Sequence, residues 1–351
     1  IENSIASTTS DMTAEQKNEL INLYKPIVSS SSTINGTSGN DLIIAQPTGS
    51  GTQTIYTGDG DDIVYTSSST SACVTGGGNN TIYFAPPPSG YSARVRTGSG
   101  NDTIYGHEYS SAHPYAVTVT LAGGSSSDTP ENKGHNVYYD NGTGLTLVCY
   151  KKGMYENSIF TKEGNDLTYR YGETTFTVKD YFTFEENRQN RFYFNFYDND
   201  STPFAISFKE FITNQGGIYN YITGSDTING TDSNEYLQAI ASNAITLNGG
   251  AGNDIYKVSF DGNRTITDTT GDDILLLGAN KNDISLSFNV KKDGTFADGN
   301  DKLTFKSNEK EVVINDFDSI ETIKTSDGYK IADLSQLKTN MIKSAFNSRN
   351  A

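Results

Sequence analysis

The sequence predicts an all-β fold in which blocks of parallel β-solenoid, also called β-roll, are each capped by antiparallel strands, with a helix at the end of the chain. Three observations predict it. A glycine-acid turn motif recurs in phase, short apolar segments lie midway between its copies, and two other segments alternate between apolar and polar residues. The composition is compatible with many tight turns between short strands, because the 351 residues include 34 Gly but only 8 Pro. The length leaves room for about two domains.

The turn motif is a glycine followed by two Asn or Asp residues and then by apolar residues. Its copies are Gly39-Asn40-Asp41, Gly60-Asp61-Asp62, Gly78-Asn79-Asn80, Gly100-Asn101-Asp102, Gly252-Asn253-Asp254 and Gly271-Asp272-Asp273. Asp62 and Asn80 lie 18 positions apart, and Asp254 and Asp273 lie 19 apart. Apolar segments without the acid, such as the one around Cys73, fall between the copies. One coil therefore holds two short strands about nine residues apart, with the acidic turn on one edge only.

The residue types of the turn have a physical explanation. Glycine supplies the positive φ angles of tight corners at low cost. A carboxylate aimed between successive corners, together with backbone carbonyls, forms the all-oxygen site that a hard cation such as Ca²⁺ prefers. Mg²⁺ fits less well, because it requires a near-ideal octahedron and retains its water. The alternatives are Asx-Gly turns without metal, or an acidic surface that serves solubility.

These residues resemble the RTX family, secreted bacterial proteins built on the calcium-binding nonapeptide Gly-Gly-x-Gly-x-Asp-x-(apolar)-x. The fullest copy is 249–257. The resemblance implies Ca²⁺ as the bound ion. It implies the following site residues: Asp41, Asp62, Asp102, Asp254 and Asp273, with Asn80 as a neutral substitute, and the turn glycines Gly39, Gly60, Gly100, Gly250, Gly252 and Gly271. Glu235 is in phase but lies in a less regular copy, and Asp226 falls on the opposite edge.

Two segments outside the repeats, 165–182 and 300–317, each open on Asn-Asp and continue as two apolar-polar alternating runs. Such alternation is typical of half-buried antiparallel strands. The pair looks like the haemolysin-type calcium-binding-related module that often follows RTX repeats. The expected domains are an N-terminal helix or linker (1–32), a first β-roll block (33–150), a first cap (151–217), a second block (218–280), and a second cap with the C-terminal helix or secretion region (281–351).

The segment 192–197 is rich in aromatic residues, and we expect it to cover an open solenoid end or to form a binding face. Helices are expected near 13–24, where a capping-box pattern precedes apolar residues, and over 333–346, where apolar residues share one face. The second of these is similar to the uncleaved C-terminal export region of type I secreted RTX proteins. A helix that seals the second solenoid is the alternative.

Charge and missing motifs exclude several classes of function. The net charge of −16 repels nucleic-acid phosphates. No apolar run reaches the roughly 18–20 residues needed to span a bilayer. The start carries neither a Sec-type leader nor an initiator Met, which suggests a fragment of a longer protein. No protease, hydrolase or nucleotide-binding motif is present, so we expect no enzyme. Whether Cys73 and Cys149 pair is left open.

We therefore expect a calcium-dependent folding and display region of a secreted or surface RTX protein: an adhesin, a surface-layer component or a toxin. Without Ca²⁺ the carboxylates repel and the chain stays disordered, which suits export through type I secretion machinery. The expected location is extracellular, including the bacterial cell surface, with cell-surface glycan or other copies of the chain as further partners. The alternatives are a glycan-acting β-solenoid enzyme and a self-assembling layer protein.

Overall fold

The computed structural model describes residues 13, 15, 25–49, 51–87, 90–110, 115–121, 134–149, 158–197, 204–214, 217–288 and 302–331. Two compact units divide the chain: Ile1–Phe160 with Gly164–Gly217, and Thr161–Glu163 with Ile218–Ala351. Both units consist mainly of strands in large parallel sheets, so the predicted fold class is confirmed. The two predicted helices lie almost wholly outside the described residues.

The first unit winds as a solenoid of short strands followed by a cap. Its strands are β1 Lys25–Ser29, β2 Thr33–Asn35, β3 Asp41–Ala45, β4 Gln53–Tyr56, β5 Ile63–Tyr65, β6 Thr70–Val74, β7 Thr81–Tyr83, β8 Arg94–Arg96, β9 Thr103–Tyr105, β10 Val117–Leu121, β11 His135–Tyr139, β12 Leu145–Cys149, the first half of β13 Ser158–Glu163, β14 Asp166–Tyr171, β15 Thr174–Val178, β16 Phe192–Phe196 and β17 Phe204–Ser207. A 3-10 turn (Tyr181–Thr183) and two short helices, α1 (Glu186–Gln189) and α2 (Phe208–Asn214), complete it.

Odd-numbered strands from β1 to β11 form one sheet and even-numbered strands from β2 to β12 form the other, each paired in parallel. Alternation along each strand sends one apolar row inward. Ile55, Cys73 and Val95 follow one another on one sheet, opposite the row of Val64 and Ile82, and all are at most 1% exposed. The strand positions expected midway between the acidic turns are therefore the second wall of this core.

The first unit departs from the expected domain plan at both ends. Residues 25–29, expected in a helix or linker, form β1 beside β3, because Pro26 disfavours a helix and the β-branched Ile27 and Val28 favour a strand. In the cap, β14 and β15 form the expected antiparallel hairpin, but β15 also pairs in parallel with β11, and β16 with β12. The cap is thus built onto one more solenoid coil.

The aromatic strand β16 packs as part of this cap. Phe192, Phe194 and Phe196 face inward and are at most 3% exposed, whereas Tyr193 is 42% exposed. The Phe194 ring lies 4.5 Å from that of Phe208 in α2, between ring centroids. Because these rings fill the end of the coil, the strand covers the open core rather than offering a continuous aromatic face to solvent.

The second unit repeats the plan on a smaller scale. Its strands are β18 Ile218–Gly224, β19 Ile228–Asn229, β20 Glu235–Ala239, β21 Ile245–Asn248, β22 Ile255–Val258, β23 Arg264–Thr267, β24 Ile274–Leu277, β25 Ser285–Phe288, β26 Leu303–Ser307, β27 Lys310–Ile314, β28 Thr322–Thr325 and β29 Lys330–Ile331, with 3-10 turns at Lys281–Asp283 and Phe317–Ser319. The sheets run β18-β20-β22-β24-β28-β29 and β19-β21-β23-β27-β26-β25. Here too the hairpin β26–β27 joins the solenoid, because β27 pairs in parallel with β23.

Candidate metal centre

The second Asn or Asp of each turn motif lies inside the coil, where the chain enters a strand. In the first unit these residues form a line that we call the inner ladder. Each backbone N–H donates to the side-chain oxygen one coil further on: Asp41 to Asp62 (2.8 Å), Asp62 to Asn80 (3.1 Å), Asn80 to Asp102 (3.0 Å) and Asp102 to Asn136 (2.9 Å). All five are at most 1% exposed. The carboxylates therefore bridge successive coils, which explains their recurrence in phase.

The second unit contains the same ladder with more acid. The N–H groups of Glu235, Asp254 and Asp273 donate to Asp254 (2.7 Å), Asp273 (2.6 Å) and Glu321 (2.6 Å). Glu235, which the sequence left doubtful, is fully buried, and its two oxygens accept from Thr231 N (2.9 Å) and Thr231 Oγ1 (2.8 Å). Asp226 is exposed, outside the ladder.

The first Asn or Asp of each turn motif belongs to a second, exposed line. Asp61 N donates to Asn40 Oδ1 (2.9 Å), and Asn79 N donates to Asp61 Oδ1 (2.7 Å). The second unit repeats this contact between Asn253 N and Asn234 Oδ1 (2.9 Å). The two polar residues of each motif thus have different roles, because alternation places one on the surface and the other inside.

The predicted turn glycines allow successive coils to approach closely. A Cβ on Gly252, whose φ is 110°, would lie 2.1 Å from Ser233 O. Four others meet the backbone of a neighbouring coil within 2.6 Å in the same way: Gly60, Gly100, Gly250 and Gly271. Gly39 differs, because its nearest neighbouring atom would be 3.9 Å away. It is the one predicted glycine with room for a side chain.

Three carboxylates of the second unit converge on one point. Oxygens of Asp254, Asp268 and Asp273 all lie within 4.8 Å of one another. The three residues are 0%, 6% and 0% exposed. One oxygen of each, Oδ2 of Asp254 and Asp273 and Oδ1 of Asp268, is buried without a hydrogen-bond partner. Among the described residues this is the only group of three potential metal ligands gathered in this way. We call it the carboxylate cluster.

The main chain passes close to the carboxylate cluster at Gly249. A Cβ on Gly249 would lie 2.2 Å from Asp254 Oδ2 and 2.4 Å from Asp268 Oδ2. It would also meet the hydroxyl of Tyr256 at 2.0 Å, and that hydroxyl donates to Asp268 Oδ2. Asp268 lies one coil beyond Gly249, because Asn248 pairs with Thr267 in the parallel sheet. Glycine at 249 thus allows the side chains of Asp254, Asp268 and Tyr256 to approach the main chain closely.

Burial without a positive partner perturbs the titration of Asp254 and Asp273. Desolvation, with repulsion from neighbouring acids, raises the pKa of Asp254 to about 7 and that of Asp273 to about 8. No ion pair of the described residues includes a cluster member. Three carboxylates with unpartnered oxygens match the chemistry of a hard divalent cation, which would offset their repulsion. Asp254, Asp268 and Asp273 would hold it.

The ladder of the first unit is better satisfied. Asp102 Oδ1 accepts from Asn80 Nδ2 (2.9 Å) and its Oδ2 accepts from Thr75 Oγ1 (3.0 Å), so the predicted ligands Asn80 and Asp102 bind each other. Asp41 Oδ1 and Asp62 Oδ2 are buried without partners, and burial raises the pKa of Asp62 to about 6.

Sequence reasoning missed Asp268, Asn136 and Glu321. A signal for Asp268 existed, since it lies 19 positions after Gly249, at the turn position that other copies give to Gly or Thr. Asn136 and Glu321 had none, because they follow their ladder neighbours by 34 and 48 positions. The two cysteines are unpaired and buried, and desolvation raises the pKa of both thiols.

No family model matches this chain, and no curated protein is similar to it at a significant level. Among the described residues, no helix has the length and apolar character needed to cross a membrane.

Proposed function

We propose that this chain is a calcium-dependent folding and display region of a secreted or cell-surface bacterial protein of the RTX type. The observation that carries the proposal is the carboxylate cluster, in which three neighbouring buried acids each leave one oxygen without a hydrogen-bond partner. A buried charge without a partner is strongly unfavourable, so a cation bound only by the folded chain stabilises it.

Calcium suits the cluster better than magnesium. All its side-chain ligands are oxygens, and Ca²⁺ accepts irregular oxygen shells, whereas Mg²⁺ requires a near-ideal octahedron. Extracellular sites bind Ca²⁺ in the range of about 10⁻⁴–10⁻³ M. At a Ca²⁺ concentration of about 100 times the dissociation constant, binding adds about 2.7 kcal/mol to the free energy of unfolding.

Dependence on the ion fits export followed by display. In a cytoplasm poor in Ca²⁺ the second unit stays open, which suits passage through type I secretion machinery, and outside the cell the ion closes the coils. The parent protein would be an adhesin, a surface-layer component or a toxin. Glycan or further copies of the chain are the partners we propose for the displayed surface.

The test is a Ca²⁺ titration monitored by far-ultraviolet circular dichroism and light scattering, with Mg²⁺ as the ion control. We expect a gain of β structure that requires Ca²⁺, and Asp268→Asn should weaken its midpoint at least about tenfold, since it removes one of three carboxylates. The matched control is Asp226→Asn, an exposed acid outside the ladder, which should leave the midpoint unchanged. Equal β structure in calcium and in chelator, with no shift for Asp268→Asn, would sink the proposal. Growth into large particles would indicate a self-assembling layer.

A further inference from the structure

Four asparagines are followed directly by glycine: Asn35–Gly36, Asn141–Gly142, Asn229–Gly230 and Asn248–Gly249. This dipeptide is the one most prone to spontaneous deamidation, because no Cβ on the second residue hinders its backbone nitrogen. That nitrogen attacks the asparagine Cγ, the Cγ–Nδ2 bond breaks, and ammonia leaves with the amide proton. Water then opens the resulting succinimide at either carbonyl, which gives aspartate or isoaspartate.

The fold restrains all four attacking nitrogens. Three glycine N–H groups donate to a carbonyl one coil further on: Gly36 to Tyr56 (2.7 Å), Gly230 to Asn248 (2.7 Å) and Gly249 to Thr267 (3.1 Å). The fourth, Gly142 N–H, donates to Asp140 Oδ2 (3.0 Å). Attack requires this hydrogen bond to break and the backbone to rotate, so the reaction needs local opening of the coil.

The fold also requires the glycines that make these asparagines labile. A Cβ would lie 1.8 Å from Thr57 O at Gly36, and 2.2 Å from Gly249 O at Gly230. At Gly249 it would collide with Tyr256 and the carboxylate cluster. At Asn35, Asn229 and Asn248 the tendency to deamidate is therefore a consequence of the turn itself, and hydrogen bonds between coils suppress it.

We propose that Asn248 is a deamidation site that the closed second unit protects, and whose modification disables the carboxylate cluster. The Asn248 amide is held by a 2.7 Å hydrogen bond from Nδ2 to Asn229 Oδ1, and the next residue, Gly249, lines the cluster. Isoaspartate adds one methylene to the main chain at this point and one negative charge beside three others. A second unit that opens for long enough is therefore permanently prevented from closing around the ion. The dependence on the ion rests on the proposed function, whereas protection by folding does not.

The experiment uses the whole chain, incubated in calcium, in chelator and in urea with chelator. Peptide mass spectrometry and isoaspartate methyltransferase labelling follow the four sites over time. In calcium, deamidation at Asn248 should be at least about tenfold slower than in urea. In chelator it should approach the rate in urea at Asn229 and Asn248, while Asn35 and Asn141 in the first unit stay slower. After chelator treatment, restored calcium should fail to recover β structure in the deamidated fraction.

The matched control is Asn248→Thr, since Thr267 occupies the same register position on the next coil. This variant cannot deamidate at 248, and it should recover its β structure after the same treatment. Deamidation of Asn248 in calcium at the rate in urea would overturn the inference, as would full recovery of the modified chain. Equal protection in calcium and chelator, both slower than in urea, would uphold protection by folding and count instead against calcium as the ion that closes the second unit.

Discussion

The two units share one coil plan but differ in how much charge they bury. In the first, the inner ladder includes two neutral residues, Asn80 and Asn136, and Asp102 is fully hydrogen-bonded. In the second, every described ladder position from Glu235 to Glu321 is acidic, and Asp268 adds a third carboxylate at one point. A single turn motif therefore supports two chemistries, and residues outside the motif decide between them.

The two units also differ in the side chains that point away from the core, because a tyrosine stack is present at this register in the first unit and not in the second. Tyr65, Tyr83, Tyr105 and Tyr139 stack in the first unit, with successive ring centroids 4.7, 4.5 and 4.7 Å apart. The same register position in the second unit holds Lys257 and Leu276, which make no such stack. The first unit thus has a source of coil-to-coil stability that needs no ion.

Removal of calcium should produce the largest difference in stability between the two units. We expect chelator to lower the free energy of opening of the second unit by about 2–3 kcal/mol and that of the first by much less. Hydrogen exchange followed by mass spectrometry measures both in one sample, using amides of β22 and β24 against those of β7 and β9. An equal loss of protection in both units would erase the contrast.

The pH dependence in chelator should differ in sign from that of ordinary paired acids. The folded pKa values of Asp254 and Asp273 are raised to about 7 and 8, so the folded second unit holds protons that the unfolded chain releases. Its stability should therefore be greatest at acidic pH and decline as pH rises from about 4, where the unfolded carboxyls ionise, to about 8. In saturating calcium the trend should reverse, because protons compete with the ion. Thermal melts at several pH values, with and without calcium, measure this.

Adding a methyl group at two turn glycines tests where the coils are tight. Gly249→Ala should lower the free energy of unfolding by about 1–3 kcal/mol and weaken calcium binding, because its Cβ would overlap Tyr256 and Asp254. Gly39→Ala is the matched control, since its Cβ has open space. Thermal denaturation in calcium compares them. An equal loss of stability in the two variants would show that the close approach of side chains to Gly249 does not contribute to folding or calcium binding.

Removal of part of the tyrosine stack should have the smallest effect on the free energy of unfolding. Tyr83→Leu keeps an apolar side chain but removes two ring stacks, which should cost the first unit about 1–2 kcal/mol, with or without calcium. Lys257→Leu, at the corresponding position of the second unit, should have little effect on the first. Urea unfolding followed by tyrosine fluorescence and hydrogen exchange measures the difference. A loss that appears only in chelator would link the stack to the ion after all.

Much of the solenoid was predictable from local spacing. The interval between Asp62 and Asn80 gave the length of one coil, and the apolar segment at Cys73 gave its second wall, because each coil repeats the same short-range chemistry. The inward row and the one-edge placement of the acids follow from strand alternation. The cap hairpins were equally predictable from the sequence, but their parallel pairing with solenoid strands was not.

By itself, then, the sequence determined the number of residues in one coil, the edge of the coil on which the acidic turns lie, and the residue types of those turns. Only the tertiary structure decided which oxygens meet. Asp268 faces Asp254 because β21 and β23 are in a particular register, and Glu321 joins the ladder after an excursion of 48 residues. The physical reason is that the sequence spacing of the motifs predicts the structure of a single coil, whereas a metal centre depends on how neighbouring coils are aligned. That alignment is set by long-range hydrogen bonds and by the close approach that glycine at 249 allows.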